Sequence, residues 1–488
     1  MIVMKFGGTS VETADAIRSV GQIVRGRLKR KPVVVVSAMA GVTDGLVRLS
    51  EAAAGGELSK GLDELTRVRE RHFSAAHELV AGGGLAPLLT TFEENFNSLE
   101  SLLRGVAAIG ELSPRTTDLI LSFGEALSSL LVAAAFESQG LEAVHVDSRQ
   151  VMVTDDNHKS AQPLFAQTRD RLSTQVAPLV RKDKVPVMGG FIAATEQGEV
   201  TTLGRGGSDY SAAIVGAALG AESIEIWTDV EGMLTTDPRL CPDAQRIRTI
   251  SFDEAAELAY FGAKVLHPAT LLPAVERDIP VYVLNSRKPR STGTCVRSKV
   301  PPSRTTFRAI AAKKGSTVIN LRAPRMLLAS GFHKSMFDIL ARHRCLVDLV
   351  STSEVSVSLV VDPAHDVARI VPELKELGEV EVESHKAIVC LVGKDIRGTV
   401  GIAASVFRVL AEAGVNIHMI SQGASEINIS VVIDEDTVPK AVQRLHEHFF
   451  PVKVEAPARR RKRAVAISSA TVTEKSYPLV AASFRGDE

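Results

Sequence analysis

Short apolar runs alternate with longer amphipathic stretches through the first half of the 488-residue chain. The runs at 1–6 (MIVMKF) and 32–37 (PVVVVS) are almost free of polar residues, which is typical of strands covered on both faces. Comparable runs occur at about 142–147, 185–189 and 224–229. Helical periodicity fills most of the chain between them. The pattern therefore predicts an α/β domain with a mostly parallel sheet covered by helices.

The second half contains an internal repeat. Residues 337–362 and 407–434 each read as a helix, a strand, a serine-bearing turn and a second strand. Preceding apolar runs and following helical patterns extend both copies to βαββαβ units, which are α+β folds with two helices on one sheet face. Such a unit leaves a sheet edge that can pair with another copy and form a small-ligand site. A purely structural repeat is the alternative.

These patterns divide the chain into five predicted segments. We predict an α/β domain over 1–290, a linker with a possible extra strand over 291–312, and two α+β units over 313–385 and 386–453. The remainder, 454–488, is rich in Pro, Ala and Ser and contains the run RRRKR. Its composition favours a disordered basic tail over a nucleic-acid-binding segment.

Composition excludes several classes of function. Lys and Arg together number 57, as do Asp and Glu, so no net field draws the chain to nucleic acid or to a membrane. The four cysteines are far apart and show no metal-ligand spacing. The chain shows no signal-peptide pattern and no run of about 18 apolar residues. We therefore expect a cytoplasmic protein without a metal centre.

The most distinctive stretch is 201–216, TTLGRGGSDYSAAIVG. Its glycines let backbone N–H groups crowd around an anion, and the helix that follows adds its positive dipole end. Arg205 offers a planar fork for a carboxylate or a phosphate. The alternative is an ordinary turn in which Ser208 or Asp209 serves as the helix N-cap.

A second glycine turn follows the first strand. Gly7 and Gly8 come directly after this strand, in which Lys5 lies near the end. A buried lysine needs a compensating partner, so Lys5 is a candidate phosphate ligand. The motif is not a Walker loop, because its lysine precedes the glycines. The alternative is a lysine that extends its ammonium to solvent from a strand end.

Other polar residues allow two interpretations each. Ser37 and Thr43 follow the second strand and either line a site or form a plain loop. The pattern predicts Glu125 at the head of an apolar helix, where it is either a dipole-favoured acid or a partner for a ligand ammonium. Asp229, Asp237 and Arg239 either line a nucleotide site or cap turns. His72 and His77 are not spaced as a metal pair on a helix, and we expect both at the surface.

Taken together, these residues resemble an aspartokinase of the amino-acid kinase superfamily. The resemblance rests on six motifs in order: KFGGTSV at 5–11, SAMAGVTD at 37–44, TTLGRGGSDYSAA at 201–213, WTDVEG at 227–232, TTDPR at 235–239 and FGAKVLHPAT at 261–270. It extends from residue 1 to about 450. The repeats then resemble paired ACT domains, and STSEVSVS at 351–358 resembles the regulatory segment of the lysine-sensitive, single-function subfamily.

The resemblance implies phosphorylation of the side-chain carboxylate of L-aspartate by MgATP, the first step towards lysine, threonine and methionine. It assigns the catalytic roles to Lys5 and Asp209. It implies a nucleotide site formed by Lys5, Gly7, Gly8, Thr228, Asp229, Arg239 and Lys264. It implies an aspartate site formed by Ser37, Thr43, Glu125, Arg205, Gly206 and Ser208. Mg²⁺ would be held mainly by the phosphates. Leu234 stands where relatives often carry a tyrosine.

The resemblance also implies feedback control by lysine and a dimer formed through the ACT domains. The implied effector site comprises Met326, Gly331, Phe332, Val347, Asp348, Ser353 and Glu354. Ala329 and Leu346 replace serines that lysine-sensitive relatives tend to carry, which removes two possible hydrogen bonds. Two other functions remain open: a kinase for another acidic amino acid, and a catalytically silent amino-acid sensor that uses only the repeats.

Overall fold

The computed structural model describes residues 1–262, 268–300, 306–324, 331–362, 365, 367–394, 396–422 and 427–451. Its strands are β1 Ile2–Phe6, β2 Pro32–Val36, β3 Ala143–Val146, β4 Val185–Gly189, β5 Ile192–Ala194, β6 Val200–Thr202, β7 Ile224–Thr228, β8 Thr249–Ile250, β9 Val281–Asn285, β10 Thr294–Val296, β11 Phe307–Arg322, β12 Val347–Thr352, β13 Ser356–Val361, β14 Glu379–Gly393, β15 Met419–Ser421 and β16 Asn428–Asp434.

Its helices are α1 Ala14–Arg25, α2 Val42–Ala54, α3 Leu58–Leu79, α4 Leu85–Ile109, α5 Pro114–Ser138, α6 Ser148–Val151, α7 Phe165–Gln175, α8 Ala177–Arg181, α9 Gly207–Leu219, α10 Phe252–Tyr260, α11 Leu272–Glu276, α12 Phe332–Arg342, α13 Val367–Lys375, α14 Ile402–Glu412 and α15 Val438–Phe449.

The first domain is built on an eight-stranded sheet in the order β3-β4-β2-β1-β7-β9-β10-β8. Its central neighbours are parallel, and only β9 and β10 pair in antiparallel orientation. Helices cover both faces, so the predicted α/β class is confirmed. The β-branched runs form the strands because each is buried on both sides.

Side-chain alternation along β1 separates the two faces. Ile2, Met4 and Phe6 pack in the core formed with α1 to α5. Val3 points to the opposite core, which contains residues of α7, α9 and α10. Because successive strand side chains point to opposite faces, Lys5 lies on the α9 side of the sheet together with Val3.

The second half forms one antiparallel sheet in the order β12-β13-β11-β14-β16-β15. The long strands β11 and β14 pair with each other along most of their length and join the two repeats. Helices α12 and α13 pack on one half of the sheet, and α14 and α15 pack on the other. This confirms the predicted α+β class of the regulatory half.

The opposite face of this sheet packs against the first domain. Val318, Val360, Ile388 and Val432 share a core with Leu258 of α10 and with other residues of the first domain. The regulatory sheet is thus in direct apolar contact with the domain that carries the glycine turns.

Two sequence expectations were wrong. Helix α5 begins at Pro114, capped by the Ser113 side chain, so Glu125 lies in the middle of this helix and not at its head. His72 is fully buried, and its Nδ1 lies 2.8 Å from the Val68 carbonyl oxygen, so it is not a surface residue. The apolar pattern after Glu125 is the strongest helical signal in this region, so the start of α5 was predicted too late. His72 is surrounded by polar residues in the sequence, so it was predicted to be exposed.

Helix α5 is also apolar and long enough to span a membrane by composition. However, 78% of its most apolar window is buried inside the protein. Its hydrophobicity is therefore explained by its place in the core of the first domain.

Candidate active site

Lys5 and Asp209 form an ion pair at the carboxyl end of β1. Lys5 Nζ lies 2.6 Å from Asp209 Oδ1, and the two side chains are only 11% and 13% exposed. The pair arises because Lys5 faces the α9 side of the sheet and Asp209 lies in the first turn of α9. Lys5 does not extend freely into solvent, so the alternative of a lysine reaching water from a strand end is wrong.

Helix α9 begins without a side-chain cap. Its N-cap is Gly206, in the left-handed conformation with φ 73°, and no side chain accepts a hydrogen bond from the first turn. The alternative in which Ser208 or Asp209 is the N-cap is therefore wrong. Since the first-turn side chains are not used for capping, Ser208 is available to face a ligand and Asp209 to pair with Lys5. The helix N-terminus presents its positive dipole end to the same space.

A cavity of about 460 Å³ opens beside this helix start. It brings together both predicted catalytic residues and all six predicted aspartate-binding residues. Its lining comprises Lys5, Ser37, Thr43, Asp118, Leu121, Glu125, Lys159, Phe191, Thr202, Gly204, Arg205, Gly206, Gly207, Ser208 and Asp209. These residues come from the ends of β1, β2 and β6, from α5 and from the start of α9, at the strand ends where ligands of open α/β sheets bind.

Glu125 carries a buried and unsatisfied carboxylate. It is 4% exposed, and its Oε2 has no hydrogen-bond partner among the described residues. Burial raises the pKa of Glu125 to about 7, against the opposing effects of the Ala38 and Glu125 backbone and the charge of Lys5. A buried carboxylate with an unpaired oxygen is suited to bind a cationic ligand group, because an ammonium would compensate the free-energy cost of its desolvation.

The close approach of α5 and α9 depends on the turn after β4. A Cβ on Gly190 would lie 2.7 Å from the Ser208 Cα, and one on Gly189 would lie 3.0 Å from the Glu125 carbonyl oxygen. Only glycine leaves room for both helices here. The turn therefore brings the carboxylate of Glu125 and the first turn of α9 to the same cavity.

Seven lining residues were not among the predicted site residues: Asp118, Leu121, Lys159, Phe191, Thr202, Gly204 and Gly207, the last three of which lie in the motif at 201–216. Of these, Asp118 is fully buried and accepts hydrogen bonds from Thr202 Oγ1 at 2.6 Å and from the Lys159 N–H at 2.9 Å. Asp118 is a charged residue directly before an apolar stretch of α5, and this position was the one sequence feature that could have marked it as buried and functional. Nothing along the chain linked it to Lys159, because the link exists only across the fold.

The predicted nucleotide residues lie at neighbouring strand ends. The Gly7 N–H donates to the Trp227 carbonyl oxygen at 2.9 Å, which joins the turn after β1 to the end of β7. Thr228 and Asp229 continue from β7, and their carbonyl oxygens accept hydrogen bonds from Ser286 Oγ and Asn285 Nδ2. A Cβ on Gly8 would lie 2.9 Å from the Ala38 carbonyl oxygen, so this turn passes close to the one after β2.

Arg239, a further predicted nucleotide residue, is placed differently. Arg239 is 88% exposed and pairs with Asp237 at 2.6 Å. Asp237 also accepts the Arg239 backbone N–H, so the turn-capping role considered for Asp237 is present. Arg239 does not line the cavity described above. Lys264 lies outside the described residues.

The predicted effector residues flank the first half of the regulatory sheet. Gly331 and Phe332 start α12, Val347 and Asp348 start β12, and Ser353 and Glu354 form the turn between β12 and β13. Phe332 and Val347 belong to the same apolar core. Met326 and Ala329 lie outside the described residues.

Asp348 already has an ammonium partner within the chain. Lys313 Nζ lies 2.6 Å from Asp348 Oδ2 and 2.8 Å from Asp362 Oδ2. The Asp348 side chain is only 2% exposed. An external ammonium that binds Asp348 must therefore compete with Lys313.

Comparisons with known proteins agree with this architecture. Residues 1–285 match the amino acid kinase family, and residues 389–449 match the ACT domain. The chain is 40% identical over 460 residues to lysine-sensitive aspartokinase 3 of Escherichia coli K12, covering 92% of this chain and 99% of that protein. It is 38% identical over 461 residues to the chloroplastic aspartokinase 3 of Arabidopsis thaliana, covering 92% and 81%.

Two crystal structures of E. coli aspartokinase III also resemble this chain. One is its R-state complex with aspartate and ADP, with a TM-score of 0.79 and 39% identity over 92% of this chain and 100% of that one. The other is its T-state complex with lysine and aspartate, with a TM-score of 0.79 and 39% identity over 92% and 99%.

Proposed function

The chain belongs to the aspartokinases of the amino acid kinase family, and on that premise we propose how its residues phosphorylate L-aspartate. As an aspartate kinase it transfers the γ-phosphoryl group of ATP to the side-chain carboxylate, giving 4-phospho-L-aspartate and ADP. This is the first step of lysine, threonine and methionine biosynthesis. The observation that carries the residue assignment is the cavity, which unites a buried carboxylate, an anion-binding helix start and the Lys5–Asp209 pair.

Aspartate binding uses the charged groups of the cavity. Arg205 binds the α-carboxylate with its planar fork, and the Gly206 and Ser208 region at the start of α9 adds backbone donors and the helix dipole. Glu125 binds the ammonium group, which supplies the missing partner of its buried Oε2. Ser37 and Thr43, after β2, hydrogen-bond the substrate and complete the pocket.

Phosphoryl transfer then requires alignment and charge neutralisation. An oxygen of the substrate side-chain carboxylate attacks the γ-phosphorus while the bond to the β-phosphate oxygen breaks, and ADP leaves with that electron pair. The nucleophile is already ionised, so no general base is needed. Lys5 stabilises the charge on the transferred phosphoryl group. Asp209 holds the Lys5 ammonium in place through the 2.6 Å ion pair.

The nucleotide is proposed to lie over the carboxyl ends of β1 and β7, against Gly7, Gly8, Thr228 and Asp229. Arg239 and Lys264 remain part of this proposal through the family resemblance. The described residues contain no group of three or more His, Cys, Asp or Glu that could hold a metal. The fit is therefore to a Mg²⁺ ion held mainly by the phosphates, where it would neutralise their charge.

Feedback inhibition by lysine is assigned to the regulatory half. Effector binding between ACT units would shift the kinase domain to an inactive arrangement, with a coupling free energy of about 1–3 kcal/mol. We also propose a homodimer through this half. Its support is the exposed apolar side chains of Leu346, which directly precedes the edge strand β12, of Val350 in β12, and of Ile420 on the edge strand β15. A monomer by light scattering would contradict the dimer.

The four cysteines are free thiols, which fits the cytoplasm as the proposed compartment.

The deciding experiment is ADP release with MgATP and a panel of L-aspartate, L-glutamate and N-acetyl-L-glutamate, with and without lysine. We expect turnover with L-aspartate alone, and suppression by lysine. Turnover confined to another acidic amino acid would overturn the substrate assignment. Binding of lysine without binding of ATP, measured by calorimetry, would favour the silent sensor instead.

A further inference from the structure

A second cation, Lys159, faces the cavity beside Arg205. We propose that Lys159 binds the α-carboxylate of L-aspartate together with Arg205 and thereby sets the affinity for this substrate. The inference rests on the proposed function of the cavity and adds a specificity-determining residue to it.

The turn that carries Lys159 is fixed by Asp118. This fully buried carboxylate accepts hydrogen bonds from four donors on two segments. They are His158 Nδ1 at 2.9 Å, the Lys159 N–H at 2.9 Å, the Thr202 N–H at 3.3 Å and Thr202 Oγ1 at 2.6 Å. Asp118 thus anchors the turn to α5 and to β6, the strand that leads into the glycine loop. It acts as a positioning residue for Lys159.

Lys159 and the loop that contains Arg205 are in contact. A Cβ on Gly204 would lie 3.0 Å from the Lys159 carbonyl oxygen. Lys159 itself has a φ of 71°, a left-handed conformation that side chains with a Cβ rarely adopt. A glycine or an asparagine would fit the backbone of this turn better, so the lysine is not explained by the turn geometry.

Some charged groups of the cavity are already compensated within the protein, and those that remain complement the charges of aspartate. Lys5 and Asp209 neutralise each other, and Asp118 is satisfied by its four donors. Among the described residues, Arg205 and Lys159 take part in no ion pair. The cavity therefore retains two cations and the Glu125 carboxylate. The α-amino-acid end of L-aspartate brings one carboxylate and one ammonium, which complement the two cations and the Glu125 carboxylate, while its side-chain carboxylate faces Lys5.

The position of Lys159 decides which carboxylate it binds. The reacting carboxylate must face Lys5 and the nucleotide at the turn of Gly7, where a Cβ would lie 3.7 Å from Lys5 Nζ. Lys159 instead lies against the loop of Gly204 and Arg205. It is therefore placed to share the non-reacting α-carboxylate with Arg205.

The test compares three variants of the full chain. In Lys159→Gly we expect the KM for aspartate to rise about tenfold, with little change in the KM for ATP, because one charge-assisted hydrogen bond is lost. Glycine fits the left-handed backbone, so the fold should be kept. Lys159→Arg should restore most of the affinity. Lys31→Gly is the matched control, because Lys31 also has a positive φ of 52° and lies away from the cavity.

A loss of kcat in Lys159→Gly with an unchanged KM for aspartate would overturn the inference, as would a KM within twofold of the parent. Calorimetric titration of parent and variant with L-aspartate gives a readout that does not depend on turnover. Equal dissociation constants would also overturn it. Absence of aspartate turnover and binding in the parent would instead overturn the proposed function.

Discussion

The hydroxyl group of Tyr260, at the end of α10, donates a 2.8 Å hydrogen bond to Asp348 Oδ1 in β12. This bond connects the kinase domain to a residue of the proposed effector site. The other oxygen of Asp348 is held by Lys313 at 2.6 Å. Asp348 is thus tied both to the kinase domain and to an internal ammonium group.

This relationship predicts the direction of a change in lysine sensitivity. An effector ammonium must take Asp348 from Lys313 and Tyr260, so removing the tyrosine hydroxyl lowers the cost of binding. We expect Tyr260→Phe to be inhibited at roughly fivefold lower lysine concentration, the effect of about 1 kcal/mol. Asp348→Asn should lose most of the inhibition. Inhibition curves of ADP release measure both effects.

Tyr282→Phe is the control, since Tyr282 lies on β9 away from Asp348. An unchanged or weakened lysine response in Tyr260→Phe would show that this hydrogen bond does not oppose effector binding.

The Lys5–Asp209 pair predicts both a catalytic and a stability effect. Lys5→Ala should lower kcat by at least about a thousandfold, because the transferred phosphoryl group loses its stabilising charge. The same substitution leaves Asp209 buried without its partner, so we expect it to lower the free energy of unfolding by about 3 kcal/mol. The double variant Lys5→Ala with Asp209→Ala should recover part of that stability and none of the activity.

Denaturant unfolding together with ADP release separates the two effects. Substantial turnover in Lys5→Ala or in Asp209→Ala would contradict the proposed mechanism. Lys31→Ala, a change at an exposed lysine, is the control.

Glu125 predicts a pH dependence of substrate binding. Its pKa of about 7 in the free protein means that protons compete with the substrate ammonium. The KM for aspartate should therefore rise as the pH falls below about 7, by up to tenfold per pH unit well below that value. A KM that stays constant between pH 8 and pH 5.5 would contradict the assignment of Glu125 to the ammonium group.

The raised pKa of Glu125 also predicts that this residue lowers the free energy of unfolding while it serves substrate binding. Its pKa is raised from 4.5 to about 7 by burial, so the folded state loses stability as the pH rises through this window. Above about pH 7, Glu125→Gln should stabilise the aspartate-free protein by up to about 3 kcal/mol, and near pH 4.5 the gain should vanish. Glu137→Gln, an exposed position on the same helix, should show no such pH dependence in thermal or denaturant unfolding.

A hydrogen bond between Thr235 and His446 links the regulatory half to the segment 235–239, which contains the proposed nucleotide residue Arg239. His446 of α15 is buried, and its Nε2 lies 2.8 Å from Thr235 Oγ1. Thr235 Oγ1 also accepts the Gln245 N–H at 2.8 Å, so this hydroxyl joins α15 to the chain around Gln245. Burial lowers the pKa of His446, which favours the neutral ring at this contact.

Thr235 begins the segment 235–239, which contains Arg239. We expect Thr235→Val to raise the KM for ATP by about fivefold and to leave the KM for aspartate within twofold, because one buried hydrogen bond is lost at the nucleotide side. Thr174→Val, on the exposed side of α7, is the control. Equal changes in both KM values would indicate general loosening of the domain and contradict the specific link.

The sequence by itself determined the fold class and most of the proposed site. Continuous β-branched runs specify strands that are buried on both faces. The helix-strand-turn-strand repeat specifies the regulatory sheet. Both are local patterns in which the spacing of apolar residues fits one type of secondary structure. The glycine turns also indicated where an anion is proposed to bind, since a positive φ or a close backbone approach restricts the residue type at that point.

Only the tertiary structure decided how the charged groups are paired. Glu125 proved to be a mid-helix residue whose Oε2 has no partner among the described residues, Asp118 proved to anchor Lys159, and Asp348 proved to be held by Lys313 and Tyr260. These relationships join residues that are far apart in the chain. Whether a carboxylate is free to bind a ligand depends on its burial and its neighbours across the fold, and no local pattern of residues records either.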